Sequence, residues 1–574
     1  MERLNPQDEA FLDMETATAP THIGGLEIFV KPKGAPKDYV RRVYEELATC
    51  PVRAAPFNYR LHTSTGDDKA DSSKLPKWMR PAPPKKEGKP VRSWETVIDV
   101  DAADHVHLHA LPWPGTQREL GELVSRLHST RLDRSRPLWE AHVIEGLEGD
   151  RFALYTKLHH SQFDGKRGNR AMAHTRSSDP RKRGLPPLWG VDMGEQPAAA
   201  PSAAPAAAPE PSGSDKFKAW GKALQEVAAA RRNKPGEGVV GPYTAPESVL
   251  NKPITARRRI ATQSLAMERI KRLGQGAEAT VNDVFLAICG GALRRYLLER
   301  DALPQAPLVA AVPVAGEVKA DSAAGNAVGQ ILVSLATHIS DPRQRLEAVV
   351  ASSKANKAHM RNMAPDALRH YTELSMVPQM VLANTAVGHR VQNSNLLISN
   401  VPGPRKPQYF NGALVESACA VSLLLAGQAL NITGRTNGPH LDVGLTACAD
   451  VLPSVQRLAV YLGDELRVLE KAMGLPPLLE APIEAAPEAA TPKDAAAPKA
   501  ASKRAPAKKL AAKKAPAKKV AATKKLVVKK APAKKAVVTK ASAAKKATAA
   551  KTAPRTVAKA AAKAAAKKSG AAAR

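Results

Sequence analysis

Cysteine is scarce in this chain: four occur in 574 residues (Cys50, Cys289, Cys419 and Cys448), and none stands in a C-x-x-C spacing. That scatter argues against a disulfide framework and a zinc site and fits a reducing compartment, so no metal is expected. Apolar runs long enough to cross a bilayer are also missing. The longest, Ala418 to Leu430, is interrupted by Ser422, Gly427 and Gln428 and falls short of the ~20 residues that a spanning helix needs. The opening residues, Met1-Glu2-Arg3-Leu4-Asn5-Pro6, lack the apolar segment of a secretory signal, which predicts a cytoplasmic protein with at most peripheral membrane association. No G-x-S-x-G elbow is present, so the usual sign of a covalent serine intermediate is absent.

Acidic residues are missing from one end. Of the 86 Lys and Arg, 24 lie between Ala501 and Arg574, where no Asp or Glu occurs; the first 500 residues hold 62 basic against 54 acidic side chains, a net of +8 out of +32. The charge that would mark a nucleic-acid-binding protein therefore belongs to a tail. From Pro482 onward Ala, Lys and Pro dominate, and Ala-Pro-Ala-Lys-Lys recurs at 505–509, 515–519 and 531–535. Residues 482–574 have no aromatics with which to build a core and are expected to be disordered. Their lysines suit phosphates on DNA or on anionic lipids equally, and a merely solubilising extension is the third reading.

The remaining length allows two or more domains. His22 to Val30 reads as a buried strand entered through a Gly pair, Lys37 to Thr49 as an amphipathic helix, and Ser64 to Val91 as a long surface loop. Thr116-Gln117-Arg118-Glu119 has the form of a capping box opening a helix. Trp139 to Ile144 and Phe152 to Leu158 predict a hairpin turning at 145–150. Ala198 to Pro211 is a Pro/Ala-rich linker, followed by a basic amphipathic helix around Phe217, Trp220, Leu224 and Val227 that suits either an anionic membrane surface or the seam between domains. A second block opens near Arg257, with helices starting at Thr280 and Asp341, strands at 308–314, 326–337, 396–401, 428–431 and 441–445, and a closing helix over 454–472. The mixture predicts an α/β protein with domains at 1–195 and 256–475, a linker and crossover helix at 196–255, and the tail at 482–574.

The most chemically suggestive stretch is Leu158-His159-His160-Ser161-Gln162-Phe163-Asp164-Gly165. An imidazole can act as a base near neutral pH, a carboxylate can assist it, and glycine permits a tight turn. Strand alternation places Phe152, Leu154, Thr156, Leu158 and His160 on one face and Ala153, Tyr155, Lys157 and His159 on the other. If the strand runs that far, His160 points inward as a shielded base and His159 lies on the more polar side; two structural histidines capping a strand end are the alternative. Asn282 and Asp283 either organise a cleft and its oxyanion or cap a helix. Pro137, Leu138 and Trp139 shape an apolar channel wall or simply the core. Asn400, Pro402 and Gly403 form a rigid turn or line that channel.

Several further segments occur in order: Leu4-Asn5-Pro6-Gln7-Asp8 with Phe11-Leu12 and His22-Ile23-Gly24-Gly25; Leu111-Pro112-Trp113-Pro114-Gly115; Leu132-Asp133-Arg134-Ser135-Arg136-Pro137-Leu138-Trp139-Glu140; Val281-Asn282-Asp283; Val312-Pro313-Val314; Gly325-Asn326; and Ser399-Asn400-Val401-Pro402-Gly403-Pro404. With the histidine motif, over Met1 to Gly474, the chain resembles the bacterial wax ester synthase/diacylglycerol acyltransferase family. The resemblance implies two chloramphenicol acetyltransferase-like domains around a central cleft, with His160 as general base and Asp164 as a loop anchor. It also implies direct transfer of a long-chain acyl group from acyl-CoA, a substrate rather than a cofactor, to diacylglycerol or a long-chain alcohol at a membrane or lipid-inclusion surface. Departures include Ser161 after the histidine pair, Ala315-Gly316-Glu317-Val318-Lys319 where the family has an arginine-containing loop, and Arg435-Thr436-Asn437-Gly438 where Ser-Tyr is usual. A non-catalytic lipid-inclusion or DNA tether that keeps the fold is the alternative function.

Overall fold

The computed structural model describes residues 2–4, 6–53, 55–64, 91–163, 165–191, 238–315, 328–363, 371, 392–476 and 478, all within one compact unit, Met1–Ala489. The expected loop between Ser64 and Val91, the linker with its basic helix, and the lysine-rich tail lie outside the described residues. In chain order the first half carries β1 (Glu2–Arg3), α1 (Pro6–Met14), β2 (His22–Val30), α2 (Tyr39–Ala48), β3 (Tyr59–Ser64), β4 (Val91–Thr96), β5 (Val106–Ala110), α3 (Gln117–Ser129), β6 (Trp139–Leu147), β7 (Arg151–His159) and α4 (Gly165–Thr175). The second carries β8 (Arg258–Ala266), α5 (Met267–Gly276), α6 (Val281–Leu298), β9 (Val309–Ala315), β10 (Val328–Ser334), α7 (Pro342–Asn362), β11 (Leu396–Val401), β12 (Tyr409–Phe410), β13 (Ala413–Val421), β14 (Leu430–Asn437), β15 (His440–Cys448) and α8 (Val455–Ala472).

Helices begin where the sequence supplies caps. The Thr116 hydroxyl accepts the Arg118 N–H and the Glu119 carboxylate takes the Thr116 N–H at 2.8 Å, closing the expected box on α3. Thr280 and Asp283 do the same for α6. Each box satisfies N–H groups that a helix start otherwise leaves without partners. From Asp283 to Leu293 every residue of α6 is buried, because the helix lies against the second sheet with α5, α7 and α8 around it. A helix apolar on all sides is stable only when covered on all sides.

Two six-stranded sheets organise the described residues, ordered β12-β13-β2-β7-β6-β5 and β10-β9-β11-β14-β15-β8. The β6–β7 hairpin forms as its alternation predicts. One feature departs from a division into 1–195 and 256–475: β12 and β13 come from the second half of the chain yet extend the first sheet, β13 pairing antiparallel with β2. The register of β13 on β2 shifts between Val415 and Ser417, and just beyond it the buried Asp442 carboxylate on β15 accepts the Ala418 N–H at 2.7 Å. Gly444 makes the approach of β15 to β13 possible, since a Cβ there would sit 1.9 Å from the Ala420 carbonyl oxygen. Helix α3 joins the sheets a second time. Its Leu120, Leu123 and Val124 pack with Leu26, Tyr155 and Ile260, and its Ser125 and Ser129 hydroxyls accept the N–H groups of Ile260 and Arg258, both at 2.9 Å. The outer edge of β8 is thereby paired rather than left open.

Candidate active site

The histidine motif sits where β7 ends. The strand stops at His159 and His160 opens the following turn, so the two faces do not divide the histidines as alternation predicts. Ala153, Tyr155, Lys157 and His159 do share one face, but that face is buried beneath α3 as deeply as the apolar one: Lys157 is 0% exposed and His159 1%. His159 is therefore the interior histidine and His160 is half-buried in the turn. The strand-parity reason for a shielded His160 fails because the period-two pattern ends with the strand.

His159 is held on both ring nitrogens. Its Nδ1 accepts the Ser161 backbone N–H at 3.2 Å and lies 2.7 Å from the Ser161 hydroxyl. That bond assigns the proton to Nε2, which donates to the Thr21 hydroxyl at 3.1 Å. Burial, with Arg134 and His160 beside it, pushes the His159 pKa down to about 3, so the ring is neutral near pH 7. Arg134 grips the Glu15 carboxylate with two nitrogens at 2.8 and 3.1 Å and the Leu12 carbonyl at 2.9 Å. His160 donates its backbone N–H to the Thr21 carbonyl at 3.1 Å, and its ring stacks on Phe11 with centroids 4.1 Å apart and planes 11° from parallel.

Behind this turn the first sheet buries a string of titratable groups. The Lys157 ammonium donates to Glu140 at 2.9 Å and to the Leu127 carbonyl at 3.3 Å. Burial opposes ionisation of Glu140, yet the His142 and Lys157 contacts hold its pKa at about 2. The Tyr155 hydroxyl lies 2.7 Å from His128 Nδ1, whose Nε2 donates to the Ser422 carbonyl at 3.1 Å, so the tyrosine donates to Nδ1. His109 Nε2 and His142 Nδ1 lie 3.1 Å apart. Among the described residues no group of three or more His, Cys, Asp or Glu is placed to hold a metal ion.

The other expected site residues divide. Asp164 lies outside the described residues, and Gly165 begins α4. Pro137, Leu138 and Trp139 are buried; the Trp139 indole donates to the Phe57 carbonyl at 2.8 Å and stacks on Trp189. Leu138 and Trp139 are core rather than channel wall. Asp283 is no oxyanion donor: despite burial, Ser353, Thr280 and Lys357 keep its pKa low, and an ionised carboxylate can only accept hydrogen bonds. Asn282 is half-buried in the first turn of α6. Three residues on in α6, Phe285 packs on Gly434, the register partner of Asn400 on β11. Gly403 has no room for a Cβ, which would meet the Thr436 carbonyl at 2.0 Å; the turn it shares with Pro402 is fixed against β14. Thr21, Glu15 and Arg134 carried no role in the sequence. Phe11 and Arg134 fall in ordered motifs, but nothing in their spacing shows that they meet His159 and His160.

The comparisons with known proteins converge. The family model described as wax ester synthase/diacylglycerol acyltransferase catalytic domain matches residues 4–71 and 67–285, and the WS/DGAT C-terminal domain matches 324–470. The chain belongs to the wax ester synthase/diacylglycerol acyltransferase family. A Mycobacterium tuberculosis relative, provisionally named a diacylglycerol O-acyltransferase, is 38% identical over 82% of this chain and 100% of its own length. The O-acyltransferase WSD of Acinetobacter baylyi is 34% identical over 82% of this chain and 97% of its own. The solved wax ester synthase/diacylglycerol acyltransferase of Marinobacter aquaeolei VT8 superposes with a TM-score of 0.65 at 35% identity, covering 83% of this chain and 100% of that one. The mixed α/β fold is thus the family's, and the chain is an O-acyltransferase; nothing in these comparisons favours the tether reading.

Proposed function

We propose that the protein moves a long-chain acyl group from acyl-CoA to the hydroxyl of diacylglycerol or of a fatty alcohol, with His160 as general base. The observation that carries this reading is the division of labour at the end of β7. His159 is neutral and bonded at both nitrogens, whereas His160 stands half-buried in the turn with one ring face covered by Phe11. An alcohol hydroxyl is too weakly acidic to attack a thioester unaided, so a base within reach must take its proton as the C–O bond forms. The C–S bond then breaks, and His160 returns that proton to the departing thiolate. No acyl-enzyme is needed. Asn282, at the mouth of α6, is proposed to help organise the developing oxyanion, for which each well-placed donor is typically worth ~3 kcal/mol of barrier.

In this reading the halves 1–195 and 256–475 form the catalytic unit and Asp164 anchors the motif loop. No described helix is long and apolar enough to cross a membrane, which suits a peripheral enzyme on the inner membrane or lipid inclusions. Residues 482–574 supply lysines for anionic lipid or DNA. The test is thiol release by purified protein from palmitoyl-CoA with either diolein or hexadecanol. Release with one or both acceptors is expected, and folded protein that releases none with either overturns the proposal.

A further inference from the structure

We propose that Phe11 is a positioning residue for acyl transfer, fixing the plane of the His160 ring, and that Thr21 and His159 fix Phe11 in turn. This rests on His160 being the base. Thr21 touches all three partners: its carbonyl accepts the His160 N–H at 3.1 Å, and its hydroxyl accepts from His159 Nε2 at 3.1 Å and donates to the Phe11 carbonyl at 3.0 Å. The Thr21 N–H reaches Glu15 at 3.4 Å, and the Arg134 fork holds that carboxylate together with the Leu12 carbonyl. The end of α1 is thus tied to the end of β7 by several directional bonds, and the ring it presents lies flat on His160.

Phe11 is not needed to fill the core. Its neighbour Leu12 does that, 2% exposed in a cluster with Trp94, Leu132 and Leu138, while Phe11 is half-buried outside it. A phenyl ring stacked on one face of an imidazole shields that face from water and restrains its tilt. A base must hold its lone pair within ~10–20° of the productive direction, so that restraint acts on the rate of the chemical step more than on substrate affinity. His159 then contributes to chemistry through Thr21 and Phe11, without moving a proton.

The experiment compares full-length wild type with Phe11→Leu, Phe11→Tyr and His160→Ala, using palmitoyl-CoA and diolein and recording thermal melts alongside. Phe11→Leu is expected to lower kcat about tenfold while KM for palmitoyl-CoA stays within about twofold, and Phe11→Tyr, which keeps the ring, to recover kcat to within about twofold of wild type. Wild-type kcat in Phe11→Leu, or a Tyr variant as slow as the Leu variant, overturns the role of Phe11 while His160→Ala remains inactive. Turnover by His160→Ala instead overturns the base assignment, and this inference with it. If Phe11→Leu does not accumulate as folded protein, Thr21→Val takes its place: a fall in kcat at constant KM supports the restraint, and an unchanged kcat overturns it.

Discussion

The two large sheets bury very different material. Under α3 the first sheet encloses Lys157, His22, His128, His142 and His159, with the partly exposed Glu140 at the margin. The second is covered by an aliphatic core running from Val284 and Ile288 through Val443 and Leu445 to Leu462 and Leu466. Among the described residues, buried charge in that half lies at helix contacts, Arg269 with Glu470, Arg345 with Glu465 and Asp283 beside Lys357, and at Arg258 and Asp442 on β8 and β15. Burying ionised or polar groups gains little stability even when they are well paired, but it fixes geometry, because each group loses much if its partner moves. The polar interior lies directly behind the histidine turn, and the aliphatic one is the scaffold.

That contrast can be broken, and the largest effect concerns the turn itself. His160→Ala is expected to reduce kcat by about a thousandfold with an unchanged melting temperature, measured by thiol release and calorimetry; the half-buried ring is not a core element. Next, Glu140→Ala strands the Lys157 ammonium in the interior and should cost about 3–5 kcal/mol in urea unfolding, whereas the double change Glu140→Leu/Lys157→Met should recover most of it.

Acid should then separate the halves. His128 and His159 have folded pKa values near 3 against 6.5 for the free side chain. As pH falls from 6.5 toward 3 the unfolded chain takes up protons that the folded chain does not, and stability is lost. Glu140, held near 2 against 4.5, adds to the loss below pH 4.5. Burial raises the Asp442 and Glu465 carboxyls instead, so their contribution declines as pH rises above the unfolded values and is retained in acid. Amide protection factors at β2 and β7 should therefore fall between pH 6.5 and 4 more than at β14 and β15; an equal fall would erase the contrast. The smallest effect is expected from removing residues 482–574, which should leave turnover of soluble substrate within about twofold if the catalytic unit lies wholly before them.

Much of the scaffold was legible because its signals are local. The capping box at Thr116, the helix start at Thr280, the β6–β7 alternation and the periodic helices at 39–48, 342–362 and 455–472 each announce themselves in contiguous sequence. What was lost is long-range. Strand β13 shares part of the run Ala418 to Leu430, whose apolar character says nothing about a partner as distant as Leu26. At the site, the motif marked His159 and His160, but the end of β7 decided which is interior, and Phe11, Thr21 and Arg134 join them only through the fold. For Trp139 core is the commoner outcome from sequence, and in the fold it is 1% exposed within a hydrophobic cluster.

The placement of β13 also bears on how a ribosome delivers this protein. Strand β2 pairs with β7 through residues made early, but its other edge stays open until 413–421 have been synthesised. An unpaired apolar edge is a site for mispairing with other chains, and pairings that wait on distant sequence fold slowly. The nascent first half, including the histidine turn, therefore cannot complete its sheet before most of the second half exists. Fragments ending near residue 285 are expected to aggregate, and the intact chain to depend on chaperones that shield β2 in the interval.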